Sequence, residues 1–139
     1  LWSVDADVRE PDEIVRQAAE TLDFGRPIAI MLMGIMGHLA DDDEVRSIIG
    51  RLLDAVPSGS YLVLSDGANT SEAAVESMAR YNRTGAIPYH LRSPEQLVSF
   101  FDGLDLLEPG VVPRTHWRPD PDASEPIAVD GHGGVGRKR

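Results

Sequence analysis

The chain contains no cysteine. That excludes disulfides, thiolate zinc sites and a cysteine nucleophile, and it is compatible with a cytoplasmic setting. Long apolar runs are also missing. The longest, Ile28 to Met36, is about half of what a membrane-spanning helix needs, so no membrane partner is expected. No basic, then apolar, then small-residue stretch opens the sequence, and no signal peptide is expected either. Positive charge is scarce: 13 Lys and Arg face 23 Asp and Glu, a net charge of −10. Such a surface repels a phosphate backbone, so nucleic acid is not expected as a partner. The one dense basic cluster, Arg137-Lys138-Arg139, reads as a solvated end. An initiating methionine is absent too; starting at Leu1, the sequence reads as processed, trimmed or incomplete.

What is present suits one globular domain. The 139 residues are 42% hydrophobic and 26% charged, ordinary values for a chain with one core. Short apolar runs alternate with helical patterns. Leu1 to Ala6 reads as the end of a strand. Pro11 suits the first position of a helix, with Asp12 and Glu13 in its first turn and an apolar stripe of Ile14, Val15, Ala18 and Leu22 ending at Phe24-Gly25. The run Ile28 to Met33 is continuously apolar, as in a parallel strand covered on both faces. Asp41, Asp42 and Asp43 precede a second helix with the stripe Val45, Ile48, Ile49, Leu52, Leu53 and Val56, and Tyr61 to Leu64 is the next buried strand.

A third helix is expected to start near Asn69, with Glu72 at capping-box spacing, and to stop at Gly85. A fourth has the clearest start in the chain: Ser93 as cap, Pro94 in the first turn, Gln96 reaching back. Gly103 closes it. Leu104 to Val112 reads as a strand, residues 113–126 as a Pro/Asp-rich loop, and a last strand falls within Ile127 to Val135. This alternation predicts an α/β fold with a mostly parallel sheet and a C-terminal antiparallel strand pair. A first strand at residue 1 would leave an open apolar sheet edge, which points to missing upstream sequence.

Ligands of open α/β sheets bind beyond the carboxyl ends of the strands. Three polar or glycine-rich segments meet that condition: Asp5 to Arg9, Gly34 to Asp43 and Ser65 to Asn69. Here a family resemblance emerges. Asp7-Val8-Arg9-Glu10-Pro11 is similar to a D-x-R-x-P pattern of bacterial Rossmann-like S-adenosylmethionine-dependent methyltransferases. Met33 to Asp42 resembles the segment after that family's fourth strand, and Pro57 to Ser65 its P-G-G-x-L-v-l-S fifth strand. Phe100 to Val112, Trp117-Arg118-Pro119 and the closing Gly133 to Lys138 continue the likeness in the same order.

The resemblance implies a Rossmann-like methyltransferase sheet truncated at its N-terminal side, with residues 1–139 the C-terminal part of a single domain. It implies S-adenosyl-L-methionine as cofactor and a small-molecule methyl acceptor. Asp7 would accept a hydrogen bond from the adenine amino group, with Val8 beside the ring, and Gly34, Ile35 and Met36 would lie along the methionine part. Two departures stand out. The acidic glycine-rich loop and the ribose carboxylate lie upstream in the family and have no counterpart here. Where many such enzymes carry histidine this chain has Gly37, with His38 one residue later, and His38 is the one candidate general base.

Blander roles compete with each of these. Asp7 suits a loop cap, and Ile35 and Met36 suit core packing. His38 with Asp41, Asp42 and Asp43 has the composition of a divalent-metal site, but consecutive aspartates at a helix start satisfy free N–H groups, and no metal site is expected. Gly131 to Gly136 spells G-x-G-x-x-G, yet only three residues follow it; no helix can form to carry a pyrophosphate, so the run is a glycine-rich strand. A non-enzymatic binding domain that kept the fold, and a different Rossmann-like enzyme, remain alternative readings.

Overall fold

A computed structural model describes residues 1–139. Helix α1 spans Pro11–Ala18, with Pro11 in its first turn and the acidic Asp12 and Glu13 at its positive end. Strand β1 (Ala29–Met33) leads into a single 3₁₀ turn, Met36–His38. Helix α2 (Asp42–Asp54) is capped by Asp41, whose side chain accepts from the Asp43 N–H. Strand β2 (Tyr61–Gly67) follows, then α3 (Glu72–Asn82) and α4 (Pro94–Ser99). The capping box at Ser93 and Gln96 forms in both directions, as their spacing requires. Two short strands, β3 (Asp105–Leu106) and β4 (Val112–Pro113), precede a 3₁₀ turn, Arg114–His116, and the final strand β5 (Gly131–Arg137).

Several expectations need correction. Leu1 to Ala6 forms no strand, since it pairs with none of the chain's strands. The cap of α3 is Ser71, accepting from Ala74, not a group at Asn69. The strand expected over Leu104 to Val112 is two strands: Pro109 has no N–H for a ladder and Gly110 turns at φ 86°, so the chain leaves β5 and returns to it.

The sheet is not mostly parallel in its pairing. Its order is β1-β2-β5-β3, with β4 also on β5. Only β1 and β2 form a parallel ladder, Ala29 opposite Tyr61 through Met33 opposite Ser65. Strand β5 lies antiparallel to β2, β3 and β4 alike. Strands β1 to β4 therefore share one direction, and β5, threaded between β2 and the short pair, converts the remaining contacts into antiparallel ones.

One face of this sheet carries the core. Leu32, Leu62 and Leu64 pack against Val45, Ile48, Ile49 and Leu52 of α2 and against Leu97, Phe100 and Phe101 at α4, with Ile14 and Val15 of α1 at the margin. Gly136 lies under this layer, where a Cβ would come within 2.9 Å of the Phe101 ring. The opposite face takes the alternate residues of each strand. Met31 and Met33 of β1 are exposed there, and Val63 and Val135 are half-buried. No helix of the chain covers them.

Candidate functional site

The carboxyl end of β1 presents the segment Gly34 to His38. Gly34 takes φ 71°, a conformation glycine adopts without the strain other residues meet. Its N–H donates to the Ser65 carbonyl at 2.7 Å, which extends the parallel ladder by one bond. Ile35 stays partly exposed, whereas the Met36 side chain is fully buried in the core. A ligand beside this turn would meet Gly34, the Ile35 side chain and the Met36 backbone.

Two buried polar groups hold the turn from either side. Arg92, 3% exposed, donates through Nη1 to the Met36 carbonyl at 2.8 Å, through Nη2 to the Leu39 carbonyl, and through Nε to Asp42 at 2.7 Å. Its guanidinium lies over the Phe100 ring, 5.3 Å from the centroid. Burial alone would raise the Asp42 carboxyl, but the hydrogen bond and charge of Arg92, aided by Gln96 and Arg46, hold it below the usual range.

Asp66, 2% exposed at the end of β2, accepts the Gly37 N–H at 3.1 Å and the Tyr89 hydroxyl on the same oxygen, Oδ1. Its Oδ2 is buried without a partner. Burial raises the Asp66 carboxyl despite these hydrogen bonds. Burial also raises the Tyr89 phenol, and the adjoining Asp66 adds to the shift. Tyr89 is fixed at its backbone by Asn82, the last residue of α3, through two 2.9 Å hydrogen bonds. Its hydroxyl accepts the Gly67 N–H at 3.0 Å.

His38 packs edge-on against the Tyr89 ring, 5.0 Å between centroids. Its Nδ1 lies 2.9 Å from the Pro88 carbonyl. A carbonyl only accepts, so Nδ1 carries the proton and Nε2 of the neutral ring keeps its lone pair. Gly37 explains the shifted histidine: a Cβ at that position would sit 2.1 Å from the Tyr89 ring, so no side chain fits.

Asp7 is exposed and its Oδ1 accepts the Arg9 N–H at 2.8 Å, while its carbonyl accepts from Glu10. Its Oδ2 takes part in no hydrogen bond within the chain. Val8 and Ile35 are brought together in one wholly apolar cavity of about 330 Å³. Asp41, Asp42 and Asp43 do not converge with His38: Asp41 caps α2, Asp42 pairs with Arg92, and Asp43 pairs with Arg46 at 3.1 Å. Sequence reasoning missed Tyr89 and Arg92 and did not single out Asp66 within its segment. The available signal was the polar segment Ser65 to Asn69 at a strand end, which pointed to the place without the partners.

A family model described as S-adenosyl methyltransferase matches residues 2–139. The chain belongs to that family. A solved structure of a DUF574 family protein from Streptomyces avermitilis is 34% identical and superposes with a TM-score of 0.86, covering 98% of this chain and 54% of that one. A Thermobifida fusca protein with a provisional methyltransferase assignment is 37% identical at a TM-score of 0.82, covering 96% and 52%. An S-adenosylmethionine-dependent methyltransferase from Methanosarcina mazei, 13% identical at 0.56 over 86% of this chain and 64% of its own, shares the fold. No curated protein matches the chain. The chain thus spans about half the length of the first two structures. Its fold is the open, Rossmann-like α/β sheet of methyltransferases, with the antiparallel β5 as its mixed element. No helix is long and apolar enough to cross a membrane.

Proposed function

We propose that the chain, as part of a longer polypeptide, transfers the methyl group of S-adenosyl-L-methionine to a small-molecule acceptor. The observation that carries this reading is the turn after β1, presented at the strand end with Gly34 open and pinned by Arg92 and Asp66. The residues present suit the cofactor. A planar ring needs apolar walls, and Val8 and Ile35 share one; its amino group needs an acceptor, which Asp7 supplies. Gly34, Ile35 and the Met36 backbone would flank the methionine portion. When bound, the cofactor supplies an activated sulfonium methyl, transferred by in-line displacement.

The protein's share is therefore positioning the acceptor and taking its proton. His38 Nε2 is the group for that proton, with Nδ1–H anchored on Pro88 to fix the tautomer. The polypeptide preceding Leu1 would carry the remaining cofactor contacts and cover the exposed Met31 side of the sheet, since α/β sheets bury both faces. Two further features fit a cytoplasmic enzyme with a small substrate: the absence of cysteine and a charge of −10, which disfavours nucleic acid.

In the polypeptide extended upstream to the length of the matched structures, His38→Gln is expected to lower the methyl-transfer rate about 100-fold. Affinity for S-adenosylhomocysteine should stay within about twofold, as the side chain acts on the acceptor. An unchanged rate would remove His38 from the mechanism.

A further inference from the structure

The bare face of the sheet is not uniformly apolar. Beside Ser65 it forms a cleft of about 360 Å³, floored by Met33, Val63 and Val135 and closed at one end by Arg114 and Trp117. That volume lies within the roughly 300–1,000 Å³ typical of small-molecule sites. Ser65 is 3% exposed and its Oγ has no hydrogen-bond partner; the Trp117 Nε1 is buried and equally unpartnered. Leaving such a group unpaired costs about 1–3 kcal/mol, so two on one cleft point to a ligand that pairs with them.

The glycines of β5 shape this end. Gly131 lets the Arg114 guanidinium lie flat on the strand, where a Cβ would be 2.5 Å from Nη2. Gly133 sits opposite Ser65, where a Cβ would crowd the serine at 3.0 Å from its Cβ and 3.2 Å from Oγ. The G-x-G-x-x-G run thus has a use unrelated to dinucleotides. Arg114 forms no ion pair with any carboxylate of this acidic chain, and Arg118 stacks on Trp117 at 4.8 Å from the ring centroid. An indole N–H and a guanidinium only donate, and a hydroxyl does so readily. The complementary ligand atoms are acceptors, and the free guanidinium selects negative ones.

We propose that this cleft seats the methyl acceptor and that Arg114, Ser65 and Trp117 recognise a carboxylate on it. The assignment to an acceptor rests on the methyl-transfer reading. Its support is adjacency: Met33 lines the cleft, and the next residue, Gly34, begins the turn proposed for the cofactor and is hydrogen-bonded to Ser65. Met31, which lies outside the cleft and is exposed, is left to the preceding part of the polypeptide.

The chain has only two tryptophans, so each indole N–H is a separate reporter in a nitrogen-15 spectrum. Trp2, 79% exposed, serves as the reference. Titrating the 139-residue chain with benzoate is expected to shift the Trp117 indole saturably and leave Trp2 unmoved. Benzamide, the neutral analogue, should bind about tenfold more weakly, the loss of one charge-assisted contact. Arg114→Gln should weaken benzoate by a similar factor, and so should Gly131→Ala, which keeps the charge but displaces the guanidinium. Equal binding of benzoate and benzamide would overturn carboxylate recognition, and a Trp117 signal that neither probe moves would overturn the cleft itself. If S-adenosylhomocysteine shifts Trp117 and displaces benzoate, the cleft belongs to the cofactor and the acceptor assignment falls. Absence of S-adenosylhomocysteine binding to the longer polypeptide would instead sink the methyl-transfer reading while benzoate binding stood.

Discussion

Replacing Arg92 with methionine is expected to lower the unfolding free energy by about 3–5 kcal/mol, because it leaves two buried carbonyls unpaired and removes the charge beside Asp42. The volume of the stem is kept, so the loss is polar. Three acceptors would be abandoned together: the buried carbonyls of Met36 and Leu39 and the half-buried Asp42 carboxylate. The variant also changes the acid limb of stability. Asp42, held below its usual range in the fold, contributes stability that is present above its unfolded value and is lost as pH falls through the folded one. Without Arg92 that contribution disappears, and the stability curve should flatten on the acid side. Urea unfolding monitored by far-ultraviolet circular dichroism measures both effects, with an unchanged m-value showing that the same surface unfolds. A loss below about 1 kcal/mol would mean the guanidinium is replaceable by water and does not hold the turn.

Gly37→Ala is the second large effect. The added methyl would occupy the position of the Tyr89 ring, 2.1 Å from Cζ, and the ring is tied at its hydroxyl to Asp66 and Gly67. Expelling it breaks both hydrogen bonds, removes the surface on which His38 stacks and leaves Asp66 with a single donor. The expected cost is about 3 kcal/mol, combining overpacking with the lost bonds. The diagnostic is the double variant with Tyr89→Ala. Once the ring is gone the methyl has room, so Gly37→Ala should add less than about 1 kcal/mol in that background. Additive losses would show that the glycine is needed for its backbone and not for the tyrosine.

These two clusters also mark where sequence reading stopped. Elements written in local chemistry were legible: the stripe of α2, the Ser93–Gln96 box of α4, the apolar run of β1 and the strand nature of the terminal glycine segment. The pins were not. Arg92 reaches back to Met36 and Leu39, Tyr89 to Asp66, and Asp66 to Gly37; nothing in residue spacing encodes such pairings. A strand needs a neighbour as well as a composition, so Leu1 to Ala6 looks like a strand in sequence and is coil in the fold. Pairing direction escaped for the same reason. That β5 lies between β2 and the β3–β4 pair is a property of the whole sheet, visible only once all its strands are placed.

The family signal was legible because it is carried by short local motifs: Asp7 to Pro11 leading into α1, the turn after β1, and the run Pro57 to Ser65 into β2. The histidine shift was visible as a departure, and Tyr89 supplies its physical cause. The cleft beside Ser65 was not legible. Its cation comes from the loop after β4, its hydroxyl from β2 and its open space from glycines of β5, and no local pattern joins them.

Calorimetric titration of S-adenosylhomocysteine into the upstream-extended polypeptide tests the central claim most directly. A dissociation constant of about 1–100 µM is predicted, corresponding to roughly 5–8 kcal/mol of binding free energy, with the 139-residue chain alone binding far more weakly. No saturable heat from the extended polypeptide would contradict the account, leaving a methyltransferase fold without its cofactor.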